Sequence, residues 1–279
     1  MFPSSVIPPV VLSIAGSDSS AGAGIQADLK SFAAHGVYGV CAVTAVVAEV
    51  PGSVAAIEPV TADTLRLQLD QLAGTFPLAA AKTGMLVGVP QLEMVCSFLK
   101  EHPRLPLVVD PVYRASAGKE LLSDSAWDLA KLALFSRATL LTPNLAEAER
   151  LLLTRLTTEA DLELAPRRIA ETFGCAVLLK GGHVPGEAGD TIYDRAWIAG
   201  EGFTFPHPRL DIPDIHGTGC TLSAAIAARL ALGQALPEAI ARAIAYLGAA
   251  LAQHHRWNGG RGAIPALNHF PDNVEFPPS

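Results

Sequence analysis

Short apolar runs alternate with segments of helical periodicity along most of the chain, and this alternation limits the fold more than any other feature. Runs rich in valine, leucine and alanine predict buried strands at residues 10–15, 40–48, 79–81, 107–109, 139–142 and 176–179. Helical spacing predicts helices at residues 25–34, 61–72, 91–100, 125–134, 144–153, 161–173, 218–232 and 238–254. Two weaker strands, residues 191–193 and 202–205, are expected in a hairpin or at a sheet edge. This order predicts an α/β fold with a mainly parallel sheet and helices on both faces.

Length and composition fit one large domain. The chain has 279 residues, of which 50% are hydrophobic and 17% charged, and no linker divides it. We therefore expect a single domain over residues 1–279, with an ordered core at about 10–270 and a loose tail at 271–279. The net charge of −7 and the lack of a block of like charge argue against a nucleic-acid partner.

Neither a secretion signal nor a membrane partner is expected. The first nine residues have no basic region and contain three prolines, and the apolar helix that follows Cys220 is interrupted by Arg229. The cysteines are scattered with no C-x-x-C pair, which favours free thiols in a reducing compartment. We therefore expect a cytoplasmic protein.

A glycine-rich turn lies at the start of the predicted helix 218–232, where residues 217–221 read Gly-Thr-Gly-Cys-Thr. The first N–H groups of a helix have no partner within it, and the helix dipole adds partial positive charge. Glycines let an anion approach the backbone, so Gly217, Thr218 and Gly219 predict a phosphate site. A helix N-terminus lowers a thiol pKa, which makes Cys220 a candidate base, whereas an inert buried thiol is the simpler alternative. His216 is expected only to bond the backbone.

Single polar residues follow the other predicted strands and should meet at one edge of a parallel sheet, where ligands collect. They are Asp18, Lys82, Asp110, Asn144 and Lys180. Lys180 precedes two glycines and can neutralise phosphate charge. Asn144 and Glu147, three apart at a helix start, fit a capping box. Their oxygens equally suit Mg²⁺, held directly or through water.

The loop after the first strand formally contains G-x-G-x-x-A, at Gly22, Gly24 and Ala27. A dinucleotide fingerprint places its first glycine directly at the strand end, whereas Gly22 lies seven positions beyond Ala15. We therefore favour a polar substrate loop, with a plain strand-to-helix connection as the alternative. The sequence contains neither a P-loop nor a protein-kinase catalytic motif.

Taken in order, these segments resemble one family. The chain is similar to the hydroxymethylpyrimidine/phosphomethylpyrimidine kinases of thiamine biosynthesis, within the ribokinase-like superfamily, over roughly residues 10–270. The matching segments are residues 15–18, 21–30, 82–85, 109–112, 141–144 with Glu147, 179–183, 216–224, 260–262 and 268–270. The resemblance implies a ribokinase-like three-layer α/β/α fold.

The same resemblance implies a reaction and its residues. ATP would phosphorylate the hydroxymethylpyrimidine and then its monophosphate, with Mg²⁺ as second cofactor and a homodimer by analogy. The N–H groups of residues 217–219 would hold the transferring phosphoryl, and Cys220 stands where ribokinase relatives have an aspartate base. The residues implied for ATP and Mg²⁺ are Asp110, Asn144, Glu147 and Lys180, of which Asn144 and Glu147 would serve the metal, mainly indirectly. The residues implied at or near the pyrimidine are Gly16, Asp28, Glu49, Met85 and Val112.

Three positions depart from the family pattern and leave the ring substrate open. Glu49 stands where the family typically carries a glutamine, Tyr113 replaces a typical methionine and Ser116 a typical lysine or threonine. An ionised glutamate only accepts hydrogen bonds, so Glu49 suits a related ring alcohol such as pyridoxal as well. Burial should raise its pKa unless the substrate amine or Lys82 pairs with it; a solvent-facing Glu49 is the alternative.

A non-catalytic ligand-binding relative is the third possibility. The intact glycine turn before Cys220, together with Asn144, Glu147 and Lys180, argues against it.

Overall fold

A nine-stranded sheet runs through the centre of the computed structural model, which describes residues 7–114, 118, 120–182, 189–259 and 262–272. Its strands are β1 Val10–Asp18, β2 Tyr38–Val50, β3 Ser53–Pro59, β4 Leu78–Thr83, β5 Leu107–Val109, β6 Leu140–Leu141, β7 Ala176–Leu179, β8 Thr191–Ile198 and β9 Glu201–Pro208. Their spatial order is β3-β2-β1-β4-β5-β6-β7-β8-β9. The strands from β2 through β7 in this order are parallel, while β3, β8 and β9 pair antiparallel at the two edges.

Helices cover both faces of the sheet. They are α1 Gly24–Ala34, α2 Ala62–Thr75, α3 Val89–Glu101, α4 Asp124–Ala133, α5 Leu145–Leu152, α6 Glu159–Phe173, α7 Thr218–Ala231 and α8 Leu236–Ala252. Successive strand residues point to opposite faces, so Leu12 packs in the core beneath α2 to α6 and Val11 in the core beneath α1, α7 and α8. The predicted three-layer α/β/α arrangement is confirmed.

The sheet edges differ from the sequence prediction. The predicted hairpin near residue 200 is present as β8 and β9, with both strands longer than expected. By contrast, β3 was not predicted, because its alanines and its terminal Pro59 are poor strand signals and most of its residues are exposed. A separate hairpin, β10 His255–Gly259 with β11 Gly262–Ala266, was also missed. Its first strand is exposed throughout, so it carries no alternation of buried and exposed residues.

The first strand is longer than predicted and extends to the polar loop. β1 ends at Asp18 rather than Ala15, because an irregularity between Ala15 and Ser17 lets pairing with β2 continue. Asp18 is therefore part of the sheet and not of a flexible connection. Gly22 lies four residues beyond the strand end, so the dinucleotide interpretation stays disfavoured.

Helix starts follow local capping. Asn144 and Glu147 form a capping box at the start of α5, which confirms that interpretation. Thr158 and Asp161 do the same for α6. In contrast, α7 has no side-chain cap, and the residue before it, Gly217, has φ of +90°. The N-terminus of α7 is thus left without the local side-chain partner that the other two helices have.

A fully buried ion pair joins the first helix to the sheet. Lys82 in β4 donates to Asp28 of α1 at 2.8 and 3.0 Å, and Ser13 of β1 donates to the same carboxylate at 2.5 Å. Neither charged side chain has any exposed surface. Burial alone would lower the pKa of Lys82, but the Asp28 carboxylate raises it overall, so the ammonium stays charged.

Among the described residues, no helix is both long and apolar enough to cross a membrane. Residues 273–279 of the predicted tail lie outside the described part of the chain. The single-domain boundaries and the loose tail stay predictions.

The buried pair generates a stability prediction. Asp28→Asn leaves the Lys82 ammonium buried without its counter-charge, so we expect the free energy of unfolding to fall by about 3–5 kcal/mol. Urea unfolding measures this change. The exposed Asp211→Asn serves as matched control and should change stability by less than about 0.5 kcal/mol. An Asp28→Asn protein as stable as the unsubstituted chain would contradict the idea that Lys82 depends on this carboxylate.

Candidate active site

Polar side chains from separate strands lie along one edge of the sheet, as predicted. Asp18 ends β1, Lys82 lies near the end of β4, Asp110 follows β5, Asn144 stands between β6 and α5, and Lys180 directly follows β7. Because these strands are parallel, their carboxyl ends meet at the same edge. The N-terminus of α7 lies at this edge too, as its contacts with Lys180 and Asp110 show.

Lys180 and Asp110 form a largely buried pair beneath the first turn of α7. The Lys180 Nζ lies 3.0 Å from Asp110 Oδ1, and Ser223 of α7 donates to Asp110 Oδ2 at 3.4 Å. A Cβ on Gly219 would lie 3.3 Å from Lys180 Nζ and 3.6 Å from Asp110 Oδ2. Burial alone would lower the pKa of Lys180, but Asp110 and Glu147 raise it overall. A fixed positive charge therefore stands beside the glycine turn.

The glycine turn packs directly against the loop that follows β1. A Cβ on Gly217 would overlap the carbonyl oxygen of Gly22, and the φ of Gly217 is one that favours glycine. The turn thus brings the α7 N-terminus against the start of α1. First-turn N–H groups of a helix point out of its end, and here they lie next to the Lys180 ammonium. This geometry suits an anion.

Glu147 is a buried carboxyl close to the same lysine. Asn144 Oδ1 accepts from the Glu147 N–H at 2.9 Å, and Glu147 Oε2 accepts from the Asn144 N–H at 2.8 Å. Burial raises the pKa of Glu147 to about 7, against the opposing charge of Lys180. Both side chains form the capping hydrogen bonds of α5. Carboxylate oxygens are also the ligands that Mg²⁺ prefers. A metal role for Asn144 and Glu147 stays a prediction.

Cys220 lies in the first turn of α7 with a thiol that resists ionisation. Burial raises its pKa to about 11, although Lys82 and the N–H of Gly24 lower it. The expectation of a lowered pKa is therefore wrong, because removal of water around the sulfur, with the nearby Asp28 and Asp110 charges, outweighs the effect of Lys82 and Gly24.

Asp28 lies in the interior, close enough to influence the Cys220 thiol electrostatically. Its carboxylate already accepts from Lys82 and Ser13. The predicted contact of Asp28 with the pyrimidine stays a prediction.

Gly16 lies in close contact with the apolar side chains of Met85 and Val47. A Cβ on Gly16 would lie 2.7 Å from Met85 Cε and 3.7 Å from Val47 Cγ2, and Thr44 fixes the Met85 backbone by donating to its carbonyl at 2.6 Å. The structure thus brings together two of the predicted ring residues, Gly16 and Met85. Val112 lies in the turn after β5, where its N–H donates to the Asp110 carbonyl at 2.8 Å.

Asp18 organises the loop between β1 and α1. Its carboxylate accepts from the Ser20 N–H and hydroxyl at 2.7 and 2.8 Å, and from the N–H groups of Gly22 and Ala23 at 2.9 and 2.7 Å. His216 Nε2 lies 3.5 Å away. Burial alone would raise the pKa of Asp18, but the histidine and these donors hold it well below its usual range.

Glu49 faces this group from β2. Its carboxylate lies 3.9 Å from His216 Nε2, and its side chain is 12% exposed. Burial and the nearby Asp18 raise the pKa of Glu49, which confirms the expected direction. Two expectations are wrong: Lys82 is not its partner, because it is paired with Asp28, and His216 faces two carboxylates rather than bonding only backbone.

Asp194 was not recognised in the sequence. This buried residue of β8 accepts from the Gly181 N–H at 2.6 Å, and His207 Nε2 lies 3.3 Å from its other oxygen. A Cβ on Gly181 would overlap the Tyr193 carbonyl, so the segment after Lys180 is held tightly against β8. The available signal was a charged Asp-Arg pair in the middle of a strand, Thr191–Ile198. His183 and Ser116 lie outside the described residues.

Comparisons with known proteins agree with this geometry. The family described as Phosphomethylpyrimidine kinase matches residues 18–266. A hydroxymethylpyrimidine/phosphomethylpyrimidine kinase of Haemophilus influenzae is 38% identical over 261 residues, which cover 93% of this chain and 96% of that protein.

Two solved structures share the fold. A phosphomethylpyrimidine kinase from Clostridium difficile 630 has a TM-score of 0.76 at 33% identity, covering 86% of this chain and 98% of that one. A pyridoxal kinase from Staphylococcus aureus in complex with AMP-PCP and pyridoxal has a TM-score of 0.83 at 30% identity, covering 95% of each chain. With the family match spanning most of the sequence and a relative matched almost from end to end, the chain belongs to the phosphomethylpyrimidine kinase family.

Proposed function

We propose that this protein uses ATP to phosphorylate 4-amino-5-hydroxymethyl-2-methylpyrimidine and then the resulting monophosphate, in thiamine biosynthesis. The observation that carries the proposal is the Lys180–Asp110 pair set directly against Gly219 at the N-terminus of α7. A fixed cation and first-turn N–H groups converge there on one small volume, as transfer of a phosphoryl group requires. Family membership supports the same reaction.

The residues divide into a phosphate side and a ring side. On the phosphate side, the N–H groups of residues 217–219 hold the transferring phosphoryl while Lys180 neutralises its charge. Mg²⁺ would supply further charge neutralisation when bound. Asn144 and Glu147 would serve it directly or through water, and the buried carboxyl of Glu147 is a ligand type that such a hard cation prefers. On the ring side, Gly16 and Met85, which lie in contact with each other, border the proposed position of the pyrimidine.

Cys220 has a place in only one of the two transfers. The hydroxymethyl group must lose a proton to attack, and the Cys220 thiol is the candidate base at the α7 terminus. The monophosphate is already an anionic nucleophile, so its transfer rests on positioning and charge neutralisation alone.

Phosphorylation of a pyridoxal-like ring alcohol is the second candidate. Two observations favour it: the S. aureus relative of the same fold is a pyridoxal kinase, and Glu49 is a carboxylate where the family typically carries an amide. A non-catalytic relative is disfavoured, because Lys180, Asp110 and the glycine turn are all in place.

ATP consumption with a panel of pyrimidine and pyridine alcohols separates these candidates. We expect turnover of the aminopyrimidine alcohol and of its monophosphate, with a lower kcat/KM for pyridoxal. Preferential turnover of pyridoxal would establish the second candidate, and ATP use with no member of the panel would establish a binding protein.

The partners we propose are the small-molecule pyrimidine and a second copy of the chain, with no nucleic acid or membrane. Val46 and Val50 of β2 are 57% and 44% exposed near the sheet edge, and an apolar surface there suits a homodimer. The four cysteines are free, which supports a reducing, cytoplasmic location.

The proposed phosphate site predicts that a methyl group added at Gly219 lowers kcat. Gly219→Ala places a Cβ against Lys180 and Asp110 in the space proposed for phosphate, so we expect kcat to fall on the order of 10²-fold. Gly248→Ala is the matched control, because a Cβ there has no neighbour within 4 Å, and its kcat should be unchanged. Steady-state kinetics with varied ATP measure both. If Gly219→Ala leaves kcat unchanged, the phosphates must bind elsewhere.

The thiol of Cys220 predicts a pH dependence. With a pKa of about 11, the thiolate fraction rises about tenfold per pH unit through the neutral range, so kcat of the hydroxymethyl step should rise with pH. Cys220→Ala should remove this rise and lower that step about 10²–10⁴-fold. Single-turnover measurements of each transfer test this.

The monophosphate step provides the internal comparison for Cys220→Ala. It should lose much less activity, because its acceptor needs no base. Equal losses in both steps would show that Cys220 serves geometry or folding.

A further inference from the structure

Hydrogen bonds anchor the backbone on both sides of Lys180. Its own N–H donates to the Pro143 carbonyl, in the turn between β6 and α5, at 2.9 Å. The next N–H along the chain, that of Gly181, donates to Oδ1 of Asp194 at 2.6 Å. Rotation about φ and ψ is the only soft backbone freedom of a residue, and here the peptide groups on either side of Lys180 are both held. The direction in which the Lys180 side chain leaves the backbone is therefore fixed.

The bond to Asp194 lies where the pairing of β7 with β8 ends. That pairing stops at Leu179 and Arg195, and the next N–H that meets β8, that of Gly181, bonds a side chain. The backbone approaches closely here, because a Cβ on Gly181 would overlap the Tyr193 carbonyl. The Tyr193 carbonyl itself accepts from Nη1 of Arg195 at 3.0 Å. The Asp194 side chain thus takes over the hydrogen bonding of β8 toward the segment that follows Lys180.

Asp194 is itself well fixed. It is buried, with 5% of its surface exposed, and its second oxygen lies 3.3 Å from Nε2 of His207 in β9. A buried carboxyl group needs polar partners to offset its loss of water, and the Gly181 N–H and His207 provide one for each oxygen. The hairpin of β8 and β9 therefore carries a rigid acceptor to the end of β7.

We propose that Asp194 is a positioning residue for phosphoryl transfer. By holding the Gly181 N–H, it fixes the direction of the Lys180 side chain and keeps the Lys180 ammonium against the first turn of α7. That ammonium lies 3.0 Å from Asp110 Oδ1, and a Cβ on Gly219 would lie 3.3 Å from it. The inference rests on the proposed role of Lys180 and adds a residue from the edge of the sheet on which this role depends.

Asp110 alone does not define where the ammonium lies. A lysine ammonium is a compact charge on a flexible stem, so it can meet one carboxylate from several backbone directions. The anchored backbone removes this freedom before ATP binds, and charge that is already in place is what stabilises a transferring phosphoryl group. A displacement of about 1 Å in such a group can lower the rate on the order of 10²-fold.

Asp194→Ala removes the acceptor of the Gly181 N–H. We expect kcat to fall on the order of 10–10²-fold, whereas KM for the aminopyrimidine alcohol should hardly change. The reason for this split is distance, since β8 is separated from β1 by four strands of the sheet. Asp194→Asn keeps an oxygen that can accept from the same N–H, so it should recover most of the lost kcat. Steady-state kinetics with each substrate varied measure these values.

A double-mutant cycle shows whether Asp194 acts through Lys180. Lys180→Met removes the ammonium that Asp194 is proposed to position. In that background, Asp194→Ala should lower the rate by less than about twofold, because two residues that act as one unit are not additive. Single-turnover measurements follow the slow variants, and calorimetry gives the ATP affinity of the same four proteins. Losses that multiply would overturn the inference.

A second substitution in β8 separates positioning from a loss of stability. Ile198 lies at the far end of the strand and is buried in the core beneath α1, α7 and α8. Ile198→Ala should lower the free energy of unfolding and leave kcat unchanged. If it lowers kcat as much as Asp194→Ala does, stability explains both and the inference fails. Should Asp194→Ala not fold, Asp194→Ser runs the same cycle, because its hydroxyl is one bond shorter and breaks the contact while keeping a polar group.

The outcomes distinguish this inference from the function on which it rests. If the protein phosphorylates the aminopyrimidine and Asp194→Ala keeps its kcat, the inference fails and the function stands. If no ring alcohol is phosphorylated, the proposed function fails, and the ATP affinities then decide the inference. A weakening of ATP binding by Asp194→Ala that disappears in the Lys180→Met background supports it. A weakening that persists there, or none in either background, overturns it.

Discussion

The buried ion pair between Asp28 and Lys82 is the interaction on which the site side of the molecule depends. The pair joins α1 to β4, and the Ser13 hydroxyl of β1 donates to the same Asp28 carboxylate. Three elements are therefore linked through two charged side chains that have no exposed surface. Two buried charges hold each other in place only with good geometry and full hydrogen bonding. That requirement holds α1 against β4, and the charges of the same pair influence the Cys220 thiol.

Backbone-to-backbone contact then closes the site from two distant parts of the chain. Gly217 lies so close to Gly22, and Gly24 to Gly16, that a Cβ would overlap the facing carbonyl in each case. The loop after β1 and the turn before α7 are therefore packed as one unit. The sides that we propose for the ring and for the phosphate meet at this junction, because Gly24 contacts the end of β1 at Gly16 while Gly217 immediately precedes α7.

The two sides of the site differ in electrostatic character. On the side proposed for phosphate, the charges of Asp110 and Glu147 raise the pKa of Lys180 and keep its ammonium charged. A charged ammonium suits the proposed ligand, ATP with Mg²⁺. On the side proposed for the ring, loop hydrogen bonds satisfy the Asp18 carboxylate, while the Glu49 carboxylate faces His216 at 3.9 Å. One side thus holds a fixed positive charge, and the other a pair of carboxylates that share a single histidine.

Local patterns along the chain determined much of this protein by themselves. Alternating apolar runs and helical segments specified the parallel sheet and its helices, and the spacing of Asn144 and Glu147 specified a capping box, because these features depend on neighbours along the chain. Tertiary structure alone decided which partners meet. Lys82 faces Asp28 and not Glu49, His216 stands between two carboxylates, and the Cys220 pKa is raised rather than lowered, because desolvation and distant charges act through space. Strand β3 and the Asp194 contact with Gly181 likewise arise only where separate elements pack together.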